Sequence, residues 1–149
     1  MELSLLKKLY SLILVTLQFI TIGHILYLEP IFSTGSFLAI QVIAMMIGVA
    51  SIFTLEPGKF NVRPIPKENG KLHTHGAYRF IRHPMYSSLL LFFAPTVFLS
   101  LNPLSWLTYG LLIITLLAKL HFEESLLIKK YPDYEKYQLK TKKLIPFIY

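Results

Sequence analysis

Two short stretches carry most of the side chains able to do chemistry. The first, HGAYRFIRHPMYSS (residues 75–88), gathers two histidines, two arginines and two tyrosines between apolar runs. His83 precedes Pro84 and is biased towards an extended backbone, while Pro84 suits the first turn of a helix, where its missing N–H is not needed. Arg82 and His83 therefore sit at a helix N-terminus, a position that favours anions through free N–H groups and the helix dipole. Ionisable groups clustered at membrane depth point to a functional site. The second stretch, LLAKLHFEESLLIKKY (residues 116–131), holds two adjacent acids in a helical pattern. At roughly 100° per residue, Leu116, Leu117, Leu120, Leu127, Ile128 and Tyr131 share one arc with Glu124 in its middle. A carboxylate in such a seam needs a cationic partner, and Arg82 or a bound cationic group fits. Glu123 falls on the edge of the arc, near Lys119 and Lys130, and reads as a solvated, ion-paired residue. His73 and His75 are two apart without a nearby ligand set and read as loop residues, so no metal is expected. His24 reads as a packed or interfacial histidine, a membrane thickness away from the cluster.

The elements that must position these residues are apolar. The 149-residue chain is 54% hydrophobic and 15% charged, against about 25% charged in an ordinary soluble domain. Four runs, 9–28, 37–55, 85–101 and 104–120, approach the roughly 17–25 residues of a spanning helix; the third contains Pro95, which membrane helices tolerate. The expectation is an all-α integral membrane protein of four transmembrane helices in one domain, 1–149. Residues 56–84 would form a long cytoplasmic loop and 121–149 a cytoplasmic tail. The first run is too long for a signal-peptide core and lacks a small-residue cleavage site.

The net charge of +7 is a matter of topology. All fifteen Lys and Arg lie before the first run, between the second and third, or from Lys119 onwards. The connections 29–36 and 102–103 carry none, so both termini and the 56–84 loop are expected in the cytoplasm. Anionic lipid headgroups, rather than nucleic acid, are the expected partner of that charge. Without cysteine, disulfides and thiolate chemistry are excluded. The tight Asn102-Pro103 turn makes the third and fourth helices antiparallel neighbours, which brings the Arg82 cluster to Glu124.

Several ordered elements resemble the isoprenylcysteine carboxyl methyltransferase family of integral-membrane enzymes, to which phospholipid methyltransferases are related. They are Gly76-Ala77-Tyr78, Arg82-His83-Pro84-Met85-Tyr86, Glu123-Glu124-Ser125-Leu126-Leu127, Tyr134-Glu135-Lys136-Tyr137 and Ile145-Pro146-Phe147. They extend over residues 70–148; the first two runs match in hydrophobicity alone. The resemblance implies a pocket for S-adenosylmethionine built from the 70–86 loop, the ends of helices 3 and 4 and the tail. It also implies a lipophilic or lipidated methyl acceptor that arrives from the bilayer. His75, Gly76, Tyr78, Arg82, His83, Tyr86, Glu123 and Glu124 are then the cofactor-binding residues, with Arg82 and Glu124 the catalytic pair. In this reading Arg82 and His83 hold the cofactor's carboxylate, the glutamates accept from its amine or ribose, and Gly76 lets the backbone approach it closely. The acceptor that the resemblance implies is a carboxylate, with an amine as the alternative. Lys140 stands where the prenylcysteine enzymes tend to have Arg, which bears on substrate class. The alternatives are a sterol-type, NADPH-dependent membrane reductase, suggested by the Pro146-Phe147-Ile148-Tyr149 ending, and a non-enzymatic membrane scaffold. Oligomeric state is not set by the sequence.

Overall fold

A computed structural model describes residues 4–55, 62–66, 70 and 72–149. Its helices are α1 (Leu5–Leu28), α2 (Phe37–Thr54), α3 (Pro84–Leu99), α4 (Pro103–Lys130) and α5 (Tyr134–Lys140), with one 3-10 turn at Gly76–Arg79. Among the described residues there is no strand, only a parallel bridge between Ile81 and Lys142. The all-helical class agrees with the sequence. Of the 56–84 loop, residues 56–61, 67–69 and 71 lie outside the described residues.

Boundaries differ where local chemistry overrides hydropathy. α3 begins at Pro84, as the Pro rule requires, and stops at Leu99, where Ser100 turns extended. α4 begins at Pro103 behind Asn102, whose side chain accepts from the Leu104 N–H at 3.0 Å. It runs on to Lys130, ten residues past the expected end, with Lys129 and Lys130 beside its C-terminal carbonyls, where basic groups are favourable. The segment expected as a tail therefore starts as the last three turns of a helix.

α1 packs on α4, α2 on α3, and α3 on α4. The pairings are antiparallel: Gln18 meets Lys119 while His24 meets Thr108, and Gly48 approaches Ser88 while Gln41 reaches Thr96. Ile25, Phe93, Val97, Leu112 and Leu116 form the shared core. Outside it the usual distribution is reversed. Ile13, Phe19 and Ile20 of α1, and Val42, Ile43, Met46 and Val49 of α2, are exposed, whereas Gln18, Gln41, Ser51, Ser105 and Thr115 are buried. An apolar surface this extensive around a polar seam marks a membrane protein. α1 and α2 are long and apolar enough to cross a membrane; α3, at 16 residues, is a shorter apolar helix.

Gln41 ties one end of the bundle together. It accepts from Ser33 N–H at 2.7 Å and Ser33 Oγ at 2.8 Å. It donates to the Ile31 carbonyl (3.1 Å), the Phe92 carbonyl (3.0 Å) and Thr96 Oγ1 (3.1 Å). At the same end Glu29 accepts from Ser100 and Ser105. The opposite end is left for the cavity.

Candidate functional site

At that opposite end, where α1, α2, α3 and α4 meet residues 62–66, 70 and 72–78 and α5, lies a cavity of about 490 Å³, inside the roughly 300–1,000 Å³ of ordinary ligand pockets. α4 supplies one wall through Lys119, Glu123 and Leu127, four residues apart, and Tyr131, just past its end, continues the row. The neighbouring stripe, Leu116, Leu120 and Glu124, is buried in packing instead.

The two acids therefore sit in different surroundings. Glu124 is buried and its Oε1 accepts from Arg82 Nε at 2.6 Å. His83 Nε2 lies 3.3 Å from the same oxygen. Burial alone raises the Glu124 pKa, but the hydrogen bonds from His83 and Arg82, with their charges, outweigh it and hold the carboxyl at about 2. Glu123 does not form the expected solvated ion pair with Lys119 or Lys130. Its Oε2 accepts from Tyr86 Oη at 2.7 Å, with His83 Nδ1 at 3.8 Å, and it faces the cavity. The apolar arc located Glu124 correctly, but the stripe beside it lines a cavity, not water.

Arg82 is held from several sides. Besides Glu124, its Nη1 donates to the Gln138 carbonyl at 3.2 Å and to the Thr141 carbonyl. The backbone is stitched as well, Arg82 N–H to the Lys142 carbonyl at 2.8 Å and His83 N–H to the Lys143 carbonyl at 3.0 Å. Even so, Arg82 and His83 both reach the cavity wall. The His83 ring stacks on Tyr86, 5.3 Å between centroids and 2° between planes. Tyr78, Tyr134 and Tyr137 complete this side. Burial pushes all three phenols up, Tyr137 to about 12, so at neutral pH they are neutral hydrogen-bonding groups. Tyr137 Oη donates to the Tyr78 carbonyl, fixing the 3-10 turn against α5.

Of the eight residues singled out for the cofactor, Tyr78, Arg82, His83, Tyr86 and Glu123 line the cavity; Glu124 stands behind them as the partner of Arg82. His75 is exposed and outside the lining, its ring 5.8 Å from that of His73, which does line it. Gly76 is also outside the lining, and its local geometry gives a reason of its own for glycine. Its φ is +58°, and a Cβ there would stand 2.4 Å from Thr54 Oγ1 at the end of α2, so only glycine lets the turn seat on that helix.

Lys119 is the residue the sequence did not bring forward. It is 1% exposed; its Nζ donates to Gln18 Oε1 and to the Val62 carbonyl, the latter at 3.0 Å, and stands 5.1 Å from the Tyr86 ring centroid. Its four-residue spacing to Glu123 was the available signal, read as a surface pair rather than a cavity wall.

A fold of this kind, an apolar bundle with a cavity of polar and aromatic wall at one end, defines a membrane protein. The chain belongs to the phospholipid methyltransferase family, whose profile matches residues 9–134. It is also similar to two proteins named probable protein-S-isoprenylcysteine O-methyltransferase, from Oryza sativa subsp. indica and subsp. japonica. Each is 36% identical over 84 residues, which is 55% of this chain and 44% of theirs. The match spans less than half the length of those relatives.

Proposed function

We propose that the protein transfers a methyl group from S-adenosylmethionine to a lipid-like or membrane-delivered acceptor, and that the cavity is where this happens. The observation that carries the reading is the donor set on its wall: a carboxylate (Glu123), cationic groups (Arg82 and Lys119), and the faces of Tyr78 and Tyr86. This suits a ligand with a carboxylate, an ammonium, a sulfonium and an aromatic base. The cofactor supplies a methyl group activated by its sulfonium. Arg82 and His83 hold the carboxylate, Glu123 accepts from the amine or ribose, and the tyrosine faces favour positive charge by about 0.5–2 kcal/mol. Alignment is the main catalytic task, and Glu124 serves it by fixing Arg82. The family membership and the names of the relatives support methyl transfer over the reductase reading.

The proposed topology is four spans with both ends and the cavity in the cytoplasm, α3 and α4 completing the pair formed by α1 and α2. Cysteines at Thr34 and Leu101, exposed positions at the lysine- and arginine-free end, label from outside, and one at Lys136 does not. Titration of the purified protein with S-adenosylmethionine and, separately, NADPH tests the activity class. Saturable binding of the first alone is expected; binding of NADPH alone overturns the reading, and binding of neither supports a scaffold.

A further inference from the structure

A second cleft, of about 200 Å³, lies outside the cavity and plays no part in the proposed reaction. Arg79, Phe80, Leu139, Lys140, Lys142 and Phe147 line it. The three basic residues are exposed, and none forms an ion pair with another described residue. Beside them stands apolar surface that no described part of the chain covers: Leu139, Phe147 and Ile148 are 89%, 91% and 75% exposed, and Phe80 61%.

The backbone fixes how deep this surface sits. Ser87, in the first turn of α3, donates from Oγ to the Leu144 carbonyl at 2.6 Å. Arg82 and His83 N–H groups bond the Lys142 and Lys143 carbonyls. Residues 142–144 thus run level with the start of α3. From there the chain folds back on itself, Leu144 and Ile145 N–H both bonding the Tyr149 backbone oxygen at 2.7 Å. Phe147 at the tip holds a left-handed φ of +66°, a conformation a phenylalanine adopts only when its surroundings impose it. The result is an aromatic and aliphatic tip with a basic rim, at the depth where α3 enters the bilayer.

We propose that the 145–149 turn, with Phe80 and Leu139, inserts into the cytoplasmic leaflet, and that Arg79, Lys140 and Lys142 bind the phosphate of an anionic lipid there. Apolar tips matched to a basic rim suit an anionic lipid surface, since the tip gains from burial in acyl chains and each rim cation from the surface potential. The assignment rests on the topology proposed for α3, which the cysteine labelling tests separately.

Phe147→Trp in a Trp106→Phe background makes the indole at 147 the sole tryptophan. The protein is reconstituted in vesicles of phosphatidylcholine alone or with phosphatidylglycerol, each brominated in the upper acyl chain. Quenching by the brominated lipid is expected, stronger for brominated phosphatidylglycerol. In the same protein with Arg79→Gln, Lys140→Gln and Lys142→Gln, the headgroup preference is lost while quenching by phosphatidylcholine persists. An indole open to aqueous iodide and untouched by brominated lipid overturns insertion. Equal quenching by both lipids before the rim is changed overturns the phosphate site. Shielding that rises with the protein-to-lipid ratio marks a second copy on the surface and also overturns the proposal.

Discussion

Glu124→Gln distinguishes a clamp for Arg82 from a ligand for the cofactor. The substitution keeps the shape and leaves a carbonyl oxygen for Arg82 Nε, which stands 2.6 Å from Oε1 in the native protein, but it removes the charge. The distance between an ordinary carboxyl at 4.5 and one held at about 2, at about 1.36 kcal/mol per pKa unit, is worth ~3 kcal/mol. That matches the low end of the loss of about 3–5 kcal/mol usual when one partner of a buried ion pair is removed. The sign follows from linkage. A carboxyl whose native pKa lies below its unfolded value stabilises fully above the unfolded value, and the contribution disappears as pH falls from 4.5 towards 2. Unfolding in detergent, followed by circular dichroism at neutral pH and near pH 3, reads both effects. The variant should lose ~3 kcal/mol at neutral pH and should show a weaker acid dependence than the native protein. A variant within about 0.5 kcal/mol of native at neutral pH, or one with undiminished acid dependence, refutes the clamp.

Glu123→Gln should leave stability within about 1 kcal/mol, as for an ordinary hydrogen bond, while S-adenosylmethionine affinity measured by calorimetry falls about tenfold or more. Unchanged affinity removes Glu123 from the ligand. Arg82→Lys loses the geometry that serves Glu124, Gln138 and Thr141 together; a compact ammonium cannot replace a planar fork. It should cost about 1.5–3 kcal/mol in unfolding and weaken cofactor binding, and a native-like variant in both assays contradicts this. Gly76→Ala should destabilise by about 1–2 kcal/mol from the left-handed backbone, plus the contact with Thr54. Adding Thr54→Ala should recover only the steric part, and full recovery would show that φ is not limiting. Gln41→Leu removes five hydrogen bonds, which at ~0.6 kcal/mol each within a membrane gives ~3 kcal/mol. Cofactor affinity should hold, because Gln41 is at the far end of the bundle; a parallel loss of affinity would link the two ends.

The Arg82–Glu124 pairing was legible because a lone acid in an apolar arc and a basic cluster at a helix N-terminus both need partners. The adjacent Glu123 was misplaced because helical phase gives direction only, and the cavity beside α4 forms from α1, the 62–66 segment and α5, which periodicity does not relate to it. Lys119 was hidden for the same reason: its partners, Gln18 and the Val62 carbonyl, lie 101 and 57 residues away. Gly76 was legible as a glycine required by its surroundings, but sequence could not say that the neighbour is Thr54 rather than a ligand. α4 outran its hydropathy because helix continuation past residue 120 depends on packing against α1 and α3. Glu124 is covered from elsewhere, by Arg82, His83 and Tyr134.

The partners that hold Arg82 lie 42, 56 and 59 residues further along the chain. At the roughly 5–20 residues per second of synthesis, Thr141 follows Arg82 by about 3–12 seconds. In the proposed topology α3 can enter the bilayer well before the carbonyls that receive its flanking guanidinium exist. In that topology helix insertion and the last stitching of the cavity wall would be separate events, the second waiting on the contacts between residues 81–83 and 142–143. A nascent chain halted before Gln138 has the sequence of all four long helices, Glu124 included, but lacks the two carbonyls that receive Arg82 Nη1. Such a chain would hold Arg82 through Glu124 alone, one of the three residues that seat it.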